Sequence, residues 1–273
     1  MVIKASLLQA LILTKDEEPN IGRVLDKLKW LESIIILDSD SSDRTVEIVQ
    51  SFTNTRIYKR AFDSHAAQWN YGLSLLNGEW VLSLDADYIL SNEFAEEVIQ
   101  KIGSAQDDKS AYCAHFKFLV FGKPLIKDNT TPRPVLFKRL KCKYYDDGHT
   151  QRLAIDGPSG EFKSFILHDD RKSLSRWLDN QSKYSVKECE KLIQADDGQL
   201  SFTSKLRKNK VLAPIFVFFY CLIVQRALFA GWRGWHYTLE RTIVEMLLAL
   251  RLIEYTKLHY DDASANRPRP MPE

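Results

Sequence analysis

Between residues 7 and 102 short apolar runs alternate with helix-length amphipathic stretches, an alternation that predicts strand-helix-strand units around a parallel sheet. Leu7 to Leu13, Ser33 to Leu37, Arg56 to Tyr58 and Trp80 to Leu84 read as strands, with helices at Ile21 to Trp30, Thr45 to Phe52 and Ala66 to Leu76 between them. Ser91 has the chemistry of an N-cap for a fourth helix reaching Ile102, and Glu93 and Glu96 suit the positive end of its dipole. After residue 110 the pattern becomes β-like, at Ala111 to Phe121 and Val135 to Lys138, around turns such as Phe121-Gly122-Lys123-Pro124 and Asp156-Gly157-Pro158. A charged helix follows from Leu174 to Ile193, with Trp177, Tyr184 and Leu192 as packing anchors. The fold class expected is α/β, with a mostly parallel central sheet flanked by helices.

Three polar clusters, Thr14 to Glu18, Asp38 to Asp43 and Asp85 to Asp87, each follow directly on an apolar strand. In open parallel sheets the ligand crevice lies beyond the carboxyl ends of the strands, so this placement predicts a polar ligand site built from the three loops. Asp85 and Asp87, with only Ala86 between them, can face one hard cation that completes its shell with water and substrate phosphates. In the second cluster Ser42 and Asp43 suit the start of the next helix, while Asp38, nearest the strand end, is the better ligand candidate. No GxGxxG follows the first strand and no GxxxxGK[ST] occurs, which argues against a dinucleotide cofactor and removes a P-loop.

Composition narrows the classes further. A net charge of +2, from 38 basic and 36 acidic residues, excludes general nucleic-acid binding. The cysteines, Cys113, Cys142, Cys189 and Cys221, have no CxxC spacing and read as reduced packing thiols of a cytosolic protein, not a zinc site. The apolar N-terminal run has no small-residue cleavage site before its acidic cluster and reads as a buried first strand.

The blocks ILTKDEEPNI, IIILDSDSSDRTVEI, Gln68-Trp69-Asn70 and GEWVLSLDADYIL, in this order over about residues 7 to 102, resemble the nucleotide-binding half of family 2 glycosyltransferases of the GT-A fold. The later half resembles the bacterial lipopolysaccharide-core and exopolysaccharide subgroup, whose members carry a Gly-x-x-His-Glu block and an apolar stretch ending in His; His149 and His168 match those histidines. The resemblance implies a nucleotide-diphospho-sugar donor, most simply a UDP-sugar, a Mn2+ or Mg2+ ion, and inversion at the anomeric carbon. It places Thr14, Glu17, Asp38, Ser39 and Asn70 on the donor side, Asp85, Ala86 and Asp87 at the ribose and metal-bound diphosphate, and His168 beside the aspartates as a metal ligand. Ser39 and Tyr88 depart from the pattern, standing where many members carry acidic residues.

Inverting transfer needs a general base for the acceptor hydroxyl. Two titratable clusters offer one, Asp146-Asp147-Gly148-His149-Thr150-Gln151-Arg152 and His168-Asp169-Asp170-Arg171. Thr150 occupies the place of the subgroup's glutamate, so Asp147 is the first candidate, Asp146 the next and Asp169 the third, with His149 orienting the diphosphate or the metal. Arg133, Arg152 and Arg171 are candidates for neutralising phosphates. Nucleotidylyl transfer, which usually wants a Gly-rich phosphate loop, and a non-catalytic scaffold that keeps the sheet are the alternatives.

Lys205, Arg207, Lys208 and Lys210 lead into VLAPIFVFFYCLIV, a 14-residue apolar run at 211 to 224 that Gln225 and Arg226 interrupt. A bilayer span needs roughly 20 residues, so the run reads as an interfacial or re-entrant helix with the basic cluster at anionic headgroups. Trp232, Trp235 and Tyr237 suit an interface, and Leu239, Ile243, Met246, Leu247 and Leu250 form a second apolar stripe, which could alternatively join a homo-oligomer. The expected organisation is a donor half at 1–110, an acceptor half at 111–200, a membrane-associated helical segment at 201–262 and a disordered tail at 263–273. Such a chain would work on the cytoplasmic face of a bacterial inner membrane, peripherally or as a monotopic protein, on a lipid-linked saccharide.

Overall fold

The computed structural model describes residues 3–104, 108–125, 131–147, 150–196, 198 and 200–262, and the expected disordered tail lies outside them. The chain divides into two compact units, Met1–Pro124 with Asp128–Lys172, and Leu125–Lys127 with Ser173–Glu273. The division falls after Lys172 and not at residue 200, so the charged helix assigned from sequence to the acceptor half belongs with the helical segment.

The first unit runs β1 (Leu8–Thr14), α1 (Ile21–Asp26), β2 (Ile34–Asp38), α2 (Thr45–Gln50), β3 (Thr55–Lys59), α3 (His65–Ser74), β4 (Trp80–Asp85), β5 (Tyr88–Ile89) and α4 (Asn92–Gly103). It continues through β6 (Ala111–Val120), β7 (Lys123–Pro124), β8 (Arg133–Lys138), β9 (Cys142–Asp147), β10 (Thr150–Ile155) and β11 (Ser159–His168). The main sheet has the order β3-β2-β1-β4-β8-β6-β11-β5. Its first four strands are mutually parallel, as the alternating pattern requires, and β8 then pairs antiparallel with both β4 and β6. β9 and β10 form a separate antiparallel pair.

Sequence alone locates β1, β2 and β4 because these strands are apolar on both faces, the signature of a sheet covered on both sides, whereas β3 is a short edge strand with polar residues exposed. Leu8, Ala10 and Ile12 of β1 pack with Ile34 and Ile36 of β2 against Ile21, Val24 and Leu25 of α1. Leu11 and Ile35 point the other way, into Ala66, Trp69 and Leu73 of α3. Gly72 sets that second contact, since a Cβ there would meet the Leu11 side chain at 2.7 Å. The parallel registers have a direct consequence for function: Thr14 lies opposite Asp38 and Leu13 opposite Asp85, so the polar clusters emerge side by side at one edge. Ser91 caps α4 as its position suggests, accepting from the Phe94 amide at 3.2 Å.

The second unit holds α5 (Leu174–Gln194), α6 (Phe202–Lys208), α7 (Leu212–Phe219), a π turn at Tyr220–Val224, a 3-10 turn at Ala227–Ala230 and α8 (Trp232–Asp262). Cys189 and Leu192 of α5 pack on Leu248 and Leu252 of α8; of the expected anchors only Leu192 is fully buried. No helix among the described residues is long and apolar enough to cross a membrane. Arg207 departs from the expected headgroup role. Its guanidinium is bound to Glu245 at 2.6 Å and Glu188 at 3.3 Å, and the Glu245 side chain is only 3% exposed.

Removing one member of such a buried pair leaves the other charge uncompensated, which costs about 3–5 kcal/mol, whereas replacing both by apolar groups is often neutral. Arg207→Met should therefore lower the stability of the helical unit by about 3 kcal/mol. Arg207→Met with Glu245→Leu should recover most of the loss in urea denaturation followed by far-UV circular dichroism; equal destabilisation by single and double variants would contradict the ion-pair account.

Candidate functional site

The loops after β1 and β2 are zipped together by side chain to backbone hydrogen bonds. The Ser41 hydroxyl receives the Asp16 amide at 2.7 Å, the Thr45 hydroxyl the Glu17 amide at 2.6 Å, and Asp43 the Glu18 amide at 3.1 Å. Asp43 also accepts the Thr45 amide at 3.0 Å, the helix-start role expected of it. Asp16 and Asp40 take left-handed backbone conformations, φ 52° and 60°, that turn the two loops towards each other. Asp38 is buried at the centre, accepting from Thr14 Oγ1 at 2.9 Å, Ser41 Oγ at 2.5 Å and the Ser41 amide at 2.9 Å. Ser39 is held by Gln68 Nε2 at 3.1 Å, and Gln68 in turn receives Arg60 at 2.6 Å.

Asp85, at the end of β4, and buried Asp87 and Ala86 adjoin this pocket through the β1–β4 register. His168 at the end of β11 lies opposite Tyr88 of β5, which brings its Nε2 to 3.1 Å from Asp87 Oδ2. The environments drive the two carboxyls apart. Burial, and then the Asp87 charge, push Asp85 above the usual range. Burial also opposes ionisation of Asp87, but the charge and hydrogen bond of His168, with Lys172 behind them, outweigh it and hold Asp87 below that range. His168 is disfavoured as a cation by burial, yet Asp87 and then Asp85 raise it above an ordinary imidazole. Tyr88, where relatives in the resemblance carry an acid, donates its hydroxyl to Asp85 and packs edge-on against His168 with ring centres 5.2 Å apart. Arg133 of β8 stacks over Phe116 at 5.8 Å, and its charge favours the ionised form of Asp85.

A second charge network borders the first. Lys172 Nζ is 2.8 Å from Glu17 Oε1 and 3.2 Å from Asp170 Oδ1, and Asn20 Nδ2 donates to Glu17 and to Asp170 at 3.0 Å each. Burial pushes Glu17 up to about 7 despite the Lys172 charge and hydrogen bond. Lys172 resists deprotonation, because Glu17, Asp170 and Asp87 outweigh its own burial.

Of the candidate bases, two are committed to the fold. Asp146 Oδ1 accepts the Ala66 amide at 2.9 Å and Oδ2 the Ser64 hydroxyl at 2.8 Å, so it caps α3. Asp169 is buried among Arg23 Nη1 at 2.5 Å, Arg171 Nε at 2.9 Å and the Gly122 amide at 3.0 Å, which fastens the end of β11 to α1 and the β6–β7 turn. This also occupies Arg171, one of the expected phosphate ligands. Asp147 pairs with Arg152 at 2.6 Å, and His149 lies outside the described residues. Asn70, expected on the donor side, both donates to and accepts from the Tyr144 backbone, at 2.9 and 3.0 Å, and so ties α3 to β9. Sequence reasoning missed Gln68, Asn20 and Lys172, although Lys172 directly follows the acidic cluster it neutralises.

A divalent ion suits one atom in particular. Asp87 Oδ1 is buried and has no hydrogen-bond partner, a hard oxygen left open while Oδ2 faces His168. No cluster of three or more His, Cys, Asp or Glu side chains with metal-binding arrangement occurs among the described residues, and His168, expected as a metal ligand, faces Asp87 Oδ2. The arrangement fits an ion held by one or two carboxylates, with water and substrate phosphates completing the shell.

Residues 10–159 match the Glycosyl transferase family 2, and the chain belongs to that family. Its α/β architecture is accordingly GT-A-like. Among its relatives, the lipopolysaccharide core biosynthesis glycosyltransferase LpsC of Rhizobium meliloti is 28% identical over 196 residues, 69% of this chain and 72% of that one. An uncharacterized glycosyltransferase of Rickettsia bellii is 28% identical over 128 residues, 46% of this chain, and the match spans only 41% of that relative's length. The crystal structure of Staphylococcus aureus TarS 1-349 in complex with UDP-GlcNAc superposes with a TM-score of 0.48 at 12% identity, covering 93% of this chain and 92% of that one.

Two outcomes follow from the geometry. A carboxyl raised from 4.5 to about 7 in the folded state binds its proton more tightly there than in the unfolded chain. The stability it contributes is full below pH 4.5 and is lost as pH rises through about 7. Relative to Glu17→Gln, the wild type should lose about 2–3 kcal/mol between those limits in urea titrations; parallel pH profiles would contradict the assignment. Asp146→Ala should lower stability by about 1 kcal/mol by leaving the Ala66 amide at the start of α3 unanswered beside the Ser64 cap, while sugar transfer persists; abolished transfer in the folded variant would restore Asp146 as a base.

Proposed function

We propose that the chain is an inverting, metal-dependent glycosyltransferase that moves a sugar from a nucleotide-diphosphate donor, most simply a UDP-sugar, to a lipid-linked saccharide in cell-envelope or exopolysaccharide synthesis. The observation that carries the reading is the open Oδ1 of buried Asp87, next to Asp85 and beside the zipped loops of Asp38. A carboxylate buried with one oxygen unanswered is costly unless a ligand completes it. Membership of the glycosyl transferase family and the core-biosynthesis relative support the reaction and the acceptor class.

In this reading Thr14, Asp38, Ser39 and the Glu17 loop receive the nucleoside, and Asp87 with Asp85 faces the diphosphate. The two acids divide the work. His168 keeps Asp87 ionised, ready for a cation, while the Tyr88 hydroxyl steadies Asp85. A divalent ion bound there would offset the charge that develops on the departing diphosphate. Arg133 supplies a further positive group near Asp85. On the acceptor side Asp147 is the proposed base, since Asp146 and Asp169 are bound into the fold; its Arg152 partner is largely exposed and so a weak competitor for the carboxylate.

Calorimetry and turnover separate these roles. The wild type should bind UDP in a Mn2+-dependent manner; Asp87→Ala should abolish that dependence and lower transfer by about a thousandfold, with the fold intact by circular dichroism. Asp147→Asn should keep nucleotide binding and lose turnover. Full transfer by Asp87→Ala would overturn the proposal.

A further inference from the structure

The donor site explains none of the apolar surface on the helical unit. From Leu212 the chain follows α7, the π turn and the 3-10 turn, then returns along α8, which packs against all three. Arg226 and Gly231, with φ of 56° and 62°, bracket the reversal. Gly234 lets the turn sit on α8, where a Cβ would lie 1.7 Å from the Ala227 carbonyl oxygen. The inner side of this hairpin is finished: Ala213, Cys221, Leu222, Ala227 and Ala230 are buried, and the Thr238 and Thr242 hydroxyls are satisfied by carbonyls one turn back, both at 2.7 Å.

The outer side of the turn is apolar and open. Ile223 is 67% exposed, Phe229 75% and Trp232 60%, with Phe219, Leu228 and Trp235 also exposed. The tip segment from Ile223 to Leu239 carries Arg226 and Arg233 and no Asp or Glu, and the first carboxylate of α8, Glu240, is held by His236 at 3.4 Å. The basic run before α7 meets α8 away from the tip, with Arg207 bound to Glu245 and Lys210 to Thr256, 13 and 24 residues beyond Trp232, whereas Arg226 is exposed at the tip itself.

We propose that this hairpin tip docks on an anionic bilayer surface, with Ile223, Phe229 and Trp232 at the boundary of headgroups and acyl chains and the basic residues at lipid phosphates. The chemistry selects this occupant over a second copy of the chain. A two-fold contact of the tip with itself would bring cations onto cations, with no carboxylate in the segment to answer them. It also selects lying in the interface over spanning, because the apolar run of 14 residues ends at Gln225 and Arg226. The Arg226 stem can lie along the apolar layer while its guanidinium stays at the headgroups.

Sedimentation of the full chain with vesicles of phosphatidylcholine alone, or with added phosphatidylglycerol, tests the proposal without any sugar nucleotide, so its failure is separate from failure of the donor reading. Binding should require phosphatidylglycerol and weaken with salt. Phe229→Asp should weaken it about tenfold or more. Arg226→Gln should weaken it about fivefold on the anionic vesicles. Leu228→Ser serves as a milder apolar variant, expected to bind more weakly than wild type, and circular dichroism confirms that each variant is folded. Absence of phosphatidylglycerol-dependent sedimentation would overturn the proposal, as would unchanged binding by folded Phe229→Asp and Leu228→Ser. So would a wild-type dimer that Phe229→Asp dissociates while no vesicles are bound, since a second copy would then cover the tip.

Discussion

The site depends on two residue pairs, Leu167 with Ile89 and His168 with Tyr88, through which the end of β11 joins the short strand β5. Without them the two aspartates at the end of β4 would lose the imidazole that answers Asp87 directly, and each buried ion costs several kcal/mol when uncompensated. The pairing puts His168 against Asp87 and sends the Asp169 amide to the Asp87 carbonyl at 3.1 Å. Asp169 then fixes the junction from the other side, because Arg23, Arg171 and Gly122 all converge on it. A carboxylate whose chemistry first suggested a proton acceptor is thus a fastener for the strand that makes another carboxylate usable.

The same logic distributes charge across the whole edge. Asp87 acts on both Glu17 and Asp85, and these acids and the buried Asp38 beside them are each treated differently. Asp38 is answered only by hydroxyls and an amide, Asp85 by the Tyr88 hydroxyl, Asp87 by an imidazole and Glu17 by an ammonium. The result is a graded set: an ionised Asp87, an Asp85 that resists ionisation, and a Glu17 poised at about 7. Such separation of neighbouring acids by environment is what allows one of them to receive a cation while the others shape the pocket.

How much of this the sequence discloses follows from the range of each interaction. Strands β1 to β4, their helices and the Ser91 cap are written in local periodicity, and the carboxyl-edge position of Asp38, Asp85 and Asp87 follows from them. The partners of those acids do not. His168 lies 81 residues from Asp87, and Asp170 lies 150 from Asn20, so nothing in either neighbourhood signals the other. Asp146 and Asp147 show the opposite failure. Locally they read as a titratable turn, but the α3 amide that Asp146 accepts comes from 80 residues away. Asn70 belongs to a block that resembles the family's donor half, yet its bonds run to the Tyr144 backbone, 74 residues away.

Arg207 and Phe229 together invert what hydropathy suggests for the helical unit. The arginine of the basic run lies between Glu188 and Glu245 inside the unit, while aromatic residues of the apolar run face outward. Outward apolar groups cannot be put down to a shortage of core, because Cys189, Leu192, Leu248 and Leu252 already pack one and the hairpin interior is closed around Ala213, Ala227 and Ala230. Folding alone would have favoured the reverse assignment, with Phe229 and Trp232 inside and the arginine in water. A buried ion triad adds little net stability over an apolar replacement, so the apolar residues left outside are surplus to the unit's own packing. Their grouping at one turn beside the exposed Arg226 is the observation on which the proposed docking rests.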